Sequence, residues 1–174
     1  MTSLLGKNIV EHYKLPDASS MVAQALDFAR DMHVGQKYGD NDYFAAHIVP
    51  VVVECSKLVD TENSTVLLCA AALHDVLEDT CAIKEELEHY FGSTVADLVA
   101  DYLTRNKLGY VKYVNNITGS KNASIVKYAD SLCNYRACAG DTAREALQVR
   151  YKKTLELLIA TWNLPDIFKQ ENTL

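Results

Sequence analysis

The sequence predicts an all-α, compact single-domain protein of about eight helices, and three observations carry that reading. Apolar residues recur at three- and four-residue spacing in successive segments. No convincing alternation of polar and apolar residues marks a strand. The 174 residues hold only 7 glycines and 3 prolines, and these punctuate the periodic segments. A chain of this length can bury a substantial core as one unit.

The first segment, SSMVAQALDFARDM, puts Val22, Ala25, Leu26, Ala29 and Met32 on one face, with serine available as N-cap. It stops at Gly35, before a polar loop, GQKYGDNDYF. From His47, the residues Val51, Val52, Cys55, Leu58 and Val59 read as a second helix with Pro50 in its first turn, where a missing N–H is tolerated. Asp60 or Thr61 can cap a third helix through ENSTVLLCAAALHDVLED. IKEELEHYFG is short and amphipathic, with Gly92 at its C-terminal cap. STVADLVADYLT starts at once, with Ser93 or Thr94 as cap. LGYVKYVNNIT, NASIVKYADSLCNYRA and DTAREALQVRYKKTLELLIATWN complete the series. No repeat or low-complexity linker divides the chain, so residues 1–174 form one domain with its core motifs at about 22–160.

Composition excludes several classes. A net charge of −6 with acids and bases intermixed offers no basic stripe for nucleic acid. No apolar run approaches the ~20 residues of a membrane span. MTSLLGKNIVEHYK lacks the regions of a secretory leader. The 5 cysteines form no CxxC pair, and Cys55 and Cys69 sit in apolar segments as small hydrophobes. A reducing cytoplasm is the expected location. The expected partner is a small molecule or another protein, and the oligomeric state is open.

Chemistry concentrates in ALHDVLEDT, residues 72–80. On a continuous helix His74 and Glu78 share a face, and Asp75 stacks with Glu78 and Asp79. An imidazole and three carboxylates on a stripe that continues an apolar run are expensive to bury as bare charges. A divalent cation supplies the compensating charge. Mixed nitrogen and oxygen donors suit Mn²⁺, Fe or Mg²⁺ with open positions better than closed tetrahedral zinc. His47, and Asp130 on an otherwise apolar helix face, are candidates to complete the set. The alternative is the solvated shoulder of an ordinary helix, and spacing alone leaves both open.

The set H…HD…D, with HDVLEDT after an alanine-rich run, resembles the HD superfamily of metal-dependent phosphohydrolases. More narrowly, it resembles the hydrolase domain of Rel/SpoT-type alarmone enzymes and the small alarmone hydrolases. ALDFARDMHVGQKY, YFAAHIVPV, FGSTVADLVADYLT and IVKYADSLCNYR are each similar to a family segment, in the family order, across about Ala25 to Arg136. The resemblance implies a helical HD-domain fold, with His47, His74, Asp75 and Asp130 holding the metal, Mn²⁺ first among the candidates. It implies that Glu78 and Asp79 position and activate the attacking water, and that Asn134 faces the substrate sugar and phosphate. The implied reaction is release of the 3′-pyrophosphate from a (p)ppGpp- or (p)ppApp-like nucleotide.

The resemblance thins at the base-binding loop. The family carries an adjacent pair of cations there, whereas GQKYGDND offers only Lys37, with Tyr38 beside it as a stacking group. The family tyrosine three residues before the first metal histidine is Phe44, so a hydroxyl is expected to be missing. The proline after that histidine is Ile48. Lys127 shares the face of Asp130, and Tyr151 falls where the family places a substrate-contacting tyrosine; both are substrate-binding candidates. Arg105, Lys112, Arg136, Arg150 and Tyr110 are further polar groups for an anion. A phosphatase on another nucleotide, such as NADPH or a nucleoside monophosphate, would share the metal and the acids. A non-catalytic nucleotide-binding module would have no need of both acids.

Overall fold

The computed structural model describes residues 4–16, 20–60, 63–105 and 109–169. All eight expected segments are helical: α2 (Ser20–Met32), α3 (Val49–Ser56), α4 (Ser64–Leu73) with α5 (Val76–Asp79), α6 (Lys84–Phe91), α7 (Ser93–Asp97), α8 (Tyr110–Thr118), α9 (Lys121–Ala137) and α10 (Glu145–Trp162). A further helix, α1 (Leu4–His12), precedes them. It lies outside the expected set and packs on α2, with Val10 buried. None of the described helices is long and apolar enough to cross a membrane.

The centre of the fold is α4. Leu67 to Leu73 are buried without interruption, so all but the first turn of this helix lacks a solvent face, and it packs against α2, α3, α7 and α9. Such all-round burial is what its unbroken apolar run requires. On α2, Val22, Ala25, Leu26 and Ala29 are buried as the spacing predicts, with Met32 packed half-buried at the edge. The cap of α4 is Asn63, whose N–H donates to Asp60 Oδ1 at 3.2 Å; Thr61 and Ser19 lie outside the described residues. Gly92, at φ 82°, both ends α6 and precedes α7, so Ser93 is the first helical residue rather than the cap.

Three departures from regular helix position the site. Phe44–Ile48 is a π-helical turn leading into α3, closed by the Val49 N–H bonding to the Phe44 carbonyl five residues back. The helix expected through Asp79 breaks: α4 ends at Leu73, and Asp75 (φ −100°, ψ −6°) starts α5. Leu98–Leu103 is a second π-helical turn, after which the chain leaves the helix at Thr104 and Arg105. The polar loop also contains a minimal antiparallel hairpin, β1 (Lys37–Tyr38) with β2 (Asn41–Asp42). Two residues per strand are too few to show alternation in sequence.

The docking of α1 is close. A Cβ at Gly6 would run into the Ala23 carbonyl of α2, and the Gly6 N–H donates to Asp27 Oδ1 at 3.1 Å. Gly6→Ala is therefore expected to destabilise the fold by about 1–3 kcal/mol. Urea unfolding should show a lower midpoint at an unchanged slope.

Candidate metal and catalytic site

His47, His74, Asp75 and Asp130 converge from the first π turn, the α4–α5 break and the middle of α9. His47 Nε2 lies 3.3 Å from His74 Nε2, 3.3 Å from Asp75 Oδ2 and 3.5 Å from Asp130 Oδ1. His74 Nε2 lies 3.0 Å from Asp75 Oδ2 and 3.7 Å from Asp130 Oδ1. On a continuous helix His74 and Asp75 would point about 100° apart, as 3.6 residues per turn dictates. The break after Leu73 is what aims both into one cluster, correcting the continuous helix expected from sequence.

The donor chemistry of this cluster fits a cation. His74 Nδ1 faces the Ala71 carbonyl at 2.8 Å, and a carbonyl only accepts, so Nδ1 carries the proton. A neutral His74 therefore turns its Nε2 lone pair toward two carboxylate oxygens. Acceptors this close need a positive charge among them. Without metal that charge is a proton: burial alone would lower the His74 pKa, but Asp75 and Asp130 outweigh it and push the ring up to about 10. Burial would raise the Asp75 carboxyl, yet His74 and His47 hold it well below the usual carboxylate range. Asp130 is likewise held low against its burial by Lys127 and the two histidines. His47, His74 and Asp130 each offer one ligand atom to a common point, and Asp75 stands within 3.3 Å of both rings.

A surrounding layer fixes these groups. The Tyr43 hydroxyl donates to Asp75 Oδ2 at 2.6 Å, and burial together with Asp75 raises its pKa, so it stays a phenol donor. The hydroxyl expected to be missing at Phe44 is thus present one residue earlier, four before His47, while Phe44 is buried in the core. Lys127 Nζ donates to Asp130 Oδ2 at 2.7 Å, and Asn134 Nδ2 to Asp130 Oδ1 at 2.5 Å. The Tyr38 hydroxyl donates to Asn134 Oδ1 at 2.8 Å, and its ring stacks on His47 at 5.0 Å and 13°. Asn134 and Lys127, expected at substrate, are therefore tied first to a metal-ligand candidate.

The acid pair lies beside the cluster in different surroundings. Glu78 Oε2 accepts the Arg105 backbone N–H at 3.1 Å, and Oε1 sits 3.2 Å from the Arg105 guanidinium. Among the described residues no such cation pairs with Asp79, and burial, then Asp75 and Glu78, raise its carboxyl pKa. Gln36 holds the Asp79 segment, donating to its carbonyl at 2.8 Å while its Oε1 meets His33 Nδ1 at 2.9 Å.

A cavity of about 270 Å³ opens over this set. Of the residues expected from sequence, Tyr38, His47, Asp75, Glu78, Asp79, Lys127, Asp130, Asn134 and Tyr151 line it, with His74 buried beneath. Lys37 does not line it: successive strand residues face opposite sides, so Tyr38 turns inward and Lys37 is exposed. Arg105, Tyr110 and Arg150 join the lining, whereas Arg136 pairs outside it with Glu54. Tyr43 and Tyr113 are lining residues that sequence reasoning missed. The i, i+4 spacing of Tyr43 and His47 could have found the first; nothing local marks Tyr113, whose hydroxyl donates to the Leu103 carbonyl. A second, apolar groove of about 460 Å³ between α8 and α10 adjoins the cavity, sharing Tyr110 and Arg150.

The family described as "HD domain" matches residues 25–157 of the chain. The bifunctional (p)ppGpp synthase/hydrolase SpoT of Escherichia coli (strain K12) is 35% identical over 102 residues, which is 59% of this chain and 14% of that protein. The probable guanosine-3′,5′-bis(diphosphate) 3′-pyrophosphohydrolase of Mycoplasma pneumoniae is 29% identical over 159 residues, covering 82% of this chain and 21% of its own length. The chain thus spans only a small part of these curated relatives. A solved structure of a metazoan ortholog of SpoT, described as hydrolysing ppGpp and acting in starvation responses, superposes with a TM-score of 0.70 at 27% identity. That match covers 90% of this chain and 98% of the other. With a helical fold, a convergent histidine and aspartate cluster and a family match over most of its length, the chain belongs to the HD domain family.

Proposed function

We propose that this chain is a metal-dependent phosphohydrolase that releases the 3′-pyrophosphate of a (p)ppGpp-like nucleotide. In this reading His47, His74, Asp75 and Asp130 hold a divalent cation, with Mn²⁺ first among candidates that include Fe and Mg²⁺. The observation that carries the reading is the position of the donor cluster, beside two unequally held acids in one cavity. The substrate class is supported by the names of the curated relatives and by the metazoan ortholog, which matches at nearly full length.

A bound cation supplies Lewis-acid polarisation of a phosphoryl oxygen and a water of lowered pKa. The protein's own groups divide the remaining work. Asp79, with its carboxyl pKa raised, is the better proton acceptor of the pair. Glu78, anchored at Oε2 by the Arg105 backbone N–H, orients the water. The water oxygen bonds to phosphorus as Asp79 takes its proton, the bond from phosphorus to the ribose 3′-oxygen breaks, and that oxygen leaves protonated by Asp79. Tyr43 keeps Asp75 in place, and Lys127 and Asn134 keep Asp130 in place, so the ligand geometry is set before substrate arrives. Tyr38 and Tyr151 present aromatic surface to the base.

A nucleotide panel incubated with Mn²⁺, with EDTA as control and products identified by mass, tests the assignment. Pyrophosphate release from ppGpp or ppApp is expected; turnover of another nucleotide with neither of these cleaved sinks the substrate reading. Asp79→Asn should lower kcat by about 10²–10⁴-fold while metal binding persists. Wild-type turnover in that variant would remove Asp79 from the mechanism. Tyr43→Phe should weaken metal binding by about 10–100-fold without unfolding the protein, measured by calorimetric titration of metal-free protein.

A further inference from the structure

The acid pair faces an electrostatic problem if the substrate is a polyanion. Glu78 and Asp79 line the cavity together, and a diphosphate brought beside them is repelled. Among the described residues three cationic side chains line the same cavity, and two are engaged away from the pair. Lys127 is bonded to Asp130 at 2.7 Å. Arg150 lies over the rings of Tyr110 and Tyr151, at 4.6 and 5.3 Å. Among the described residues, Arg105 is the cation in contact with the acid pair.

Its attachment to Glu78 has two separable parts. The backbone N–H holds Oε2 at 3.1 Å, and the guanidinium meets Oε1 at 3.2 Å. The first contact persists whatever the side chain does. The second is nearly half exposed, at 46% for Arg105, and an ion pair in that setting is weak and easily exchanged. A guanidinium carries five donors in a planar fork that matches phosphate oxygens. It can therefore turn to a phosphoryl group while Glu78 stays anchored by the amide. The second π turn and the buried Thr104, whose N–H and hydroxyl both bond the Val99 carbonyl, fix the backbone from which this side chain reaches.

We infer that Arg105 is the specificity-determining residue for a diphosphate arm: its guanidinium binds the terminal phosphoryl group on the acid-pair side, exchanging its contact with Glu78 as the substrate seats. This rests on the proposed phosphohydrolase reading but concerns which phosphate arm is preferred. The test titrates wild type, Arg105→Gln and Arg105→Lys, in excess Mn²⁺, with inorganic pyrophosphate and separately with inorganic phosphate. Steady-state kinetics on a nucleoside 3′-diphosphate and the matching 3′-monophosphate accompany it.

Arg105→Gln should lose about 10–100-fold in pyrophosphate affinity, the range for a charge-assisted contact, with phosphate affinity little changed. KM for the 3′-diphosphate should rise more than kcat falls, and Arg105→Lys should recover part of the loss. Equal losses for both anions, or a fall in kcat with pyrophosphate affinity intact, would leave Arg105 as a mere support for Glu78 and overturn the inference. If wild type does not cleave the 3′-diphosphate yet pyrophosphate affinity still depends on Arg105, the proposed substrate fails and Arg105 stands. If wild type cleaves it while Arg105→Gln binds pyrophosphate unaltered, the substrate stands and the role of Arg105 falls.

Discussion

Two imidazole nitrogens, held within 3.7 Å of each other and of two carboxylate oxygens, are the constraint around which this molecule is arranged. A regular helix cannot deliver them. Adjacent residues on one helix diverge, so His74 and Asp75 meet only because α4 ends between Leu73 and Val76. His47 arrives from a π-helical turn, whose extra residue changes the register of the helix into α3. Each irregularity gives up regular hydrogen bonding. The offset comes from the fully buried α4 directly behind the cluster, where each large side chain contributes roughly 1.5–3 kcal/mol.

Charge explains why the cluster, acids and cations occupy one cavity. Among the described residues, four carboxylates (Asp75, Glu78, Asp79 and Asp130) face three cationic side chains (Arg105, Lys127 and Arg150). With neutral histidines the set is net negative, unsuited to a phosphate ester. A divalent cation reverses the sign without moving a side chain. In the proposed reading, metal binding and anion binding become one electrostatic event, and a chain of net charge −6 would need no basic surface to accept an anionic substrate.

Much of this was legible in the sequence because it depends on periodicity and on residue types. The helices from Ser20 to Trp162 followed from apolar spacing, and the metal candidates from acids set where core was due. What escaped depends on register. Phe44 stands three residues before His47, where the family carries tyrosine, and it is Tyr43, one residue earlier, whose hydroxyl bonds Asp75. Lys37 and Tyr38 are neighbours in a polar loop, and only the hairpin shows that one turns out and the other in. Helix α1 escaped, and its close approach to α2 at Gly6 is a tertiary feature that apolar spacing does not record. Asn134 sits where spacing put it, one turn after Asp130, but its bonds go to Asp130 and Tyr38, and no local pattern encodes that partner choice.

Those bonds join two parts of the site that lie far apart in the sequence. Tyr38 belongs to the hairpin expected near the base, and Asp130 to the candidate metal set. Asn134 bridges them, accepting from one and donating to the other, while the Tyr38 ring also covers His47. In the proposed reading, a base settling against Tyr38 would press on the same network that orients Asp130 and His47. Side-chain networks of this kind respond as units, since moving one member leaves another unsatisfied in a low-dielectric setting. Under the proposed reading the hairpin is mechanically part of the candidate metal site, and a change at Tyr38 would reach Asp130 and His47 as well as any base stacked on it.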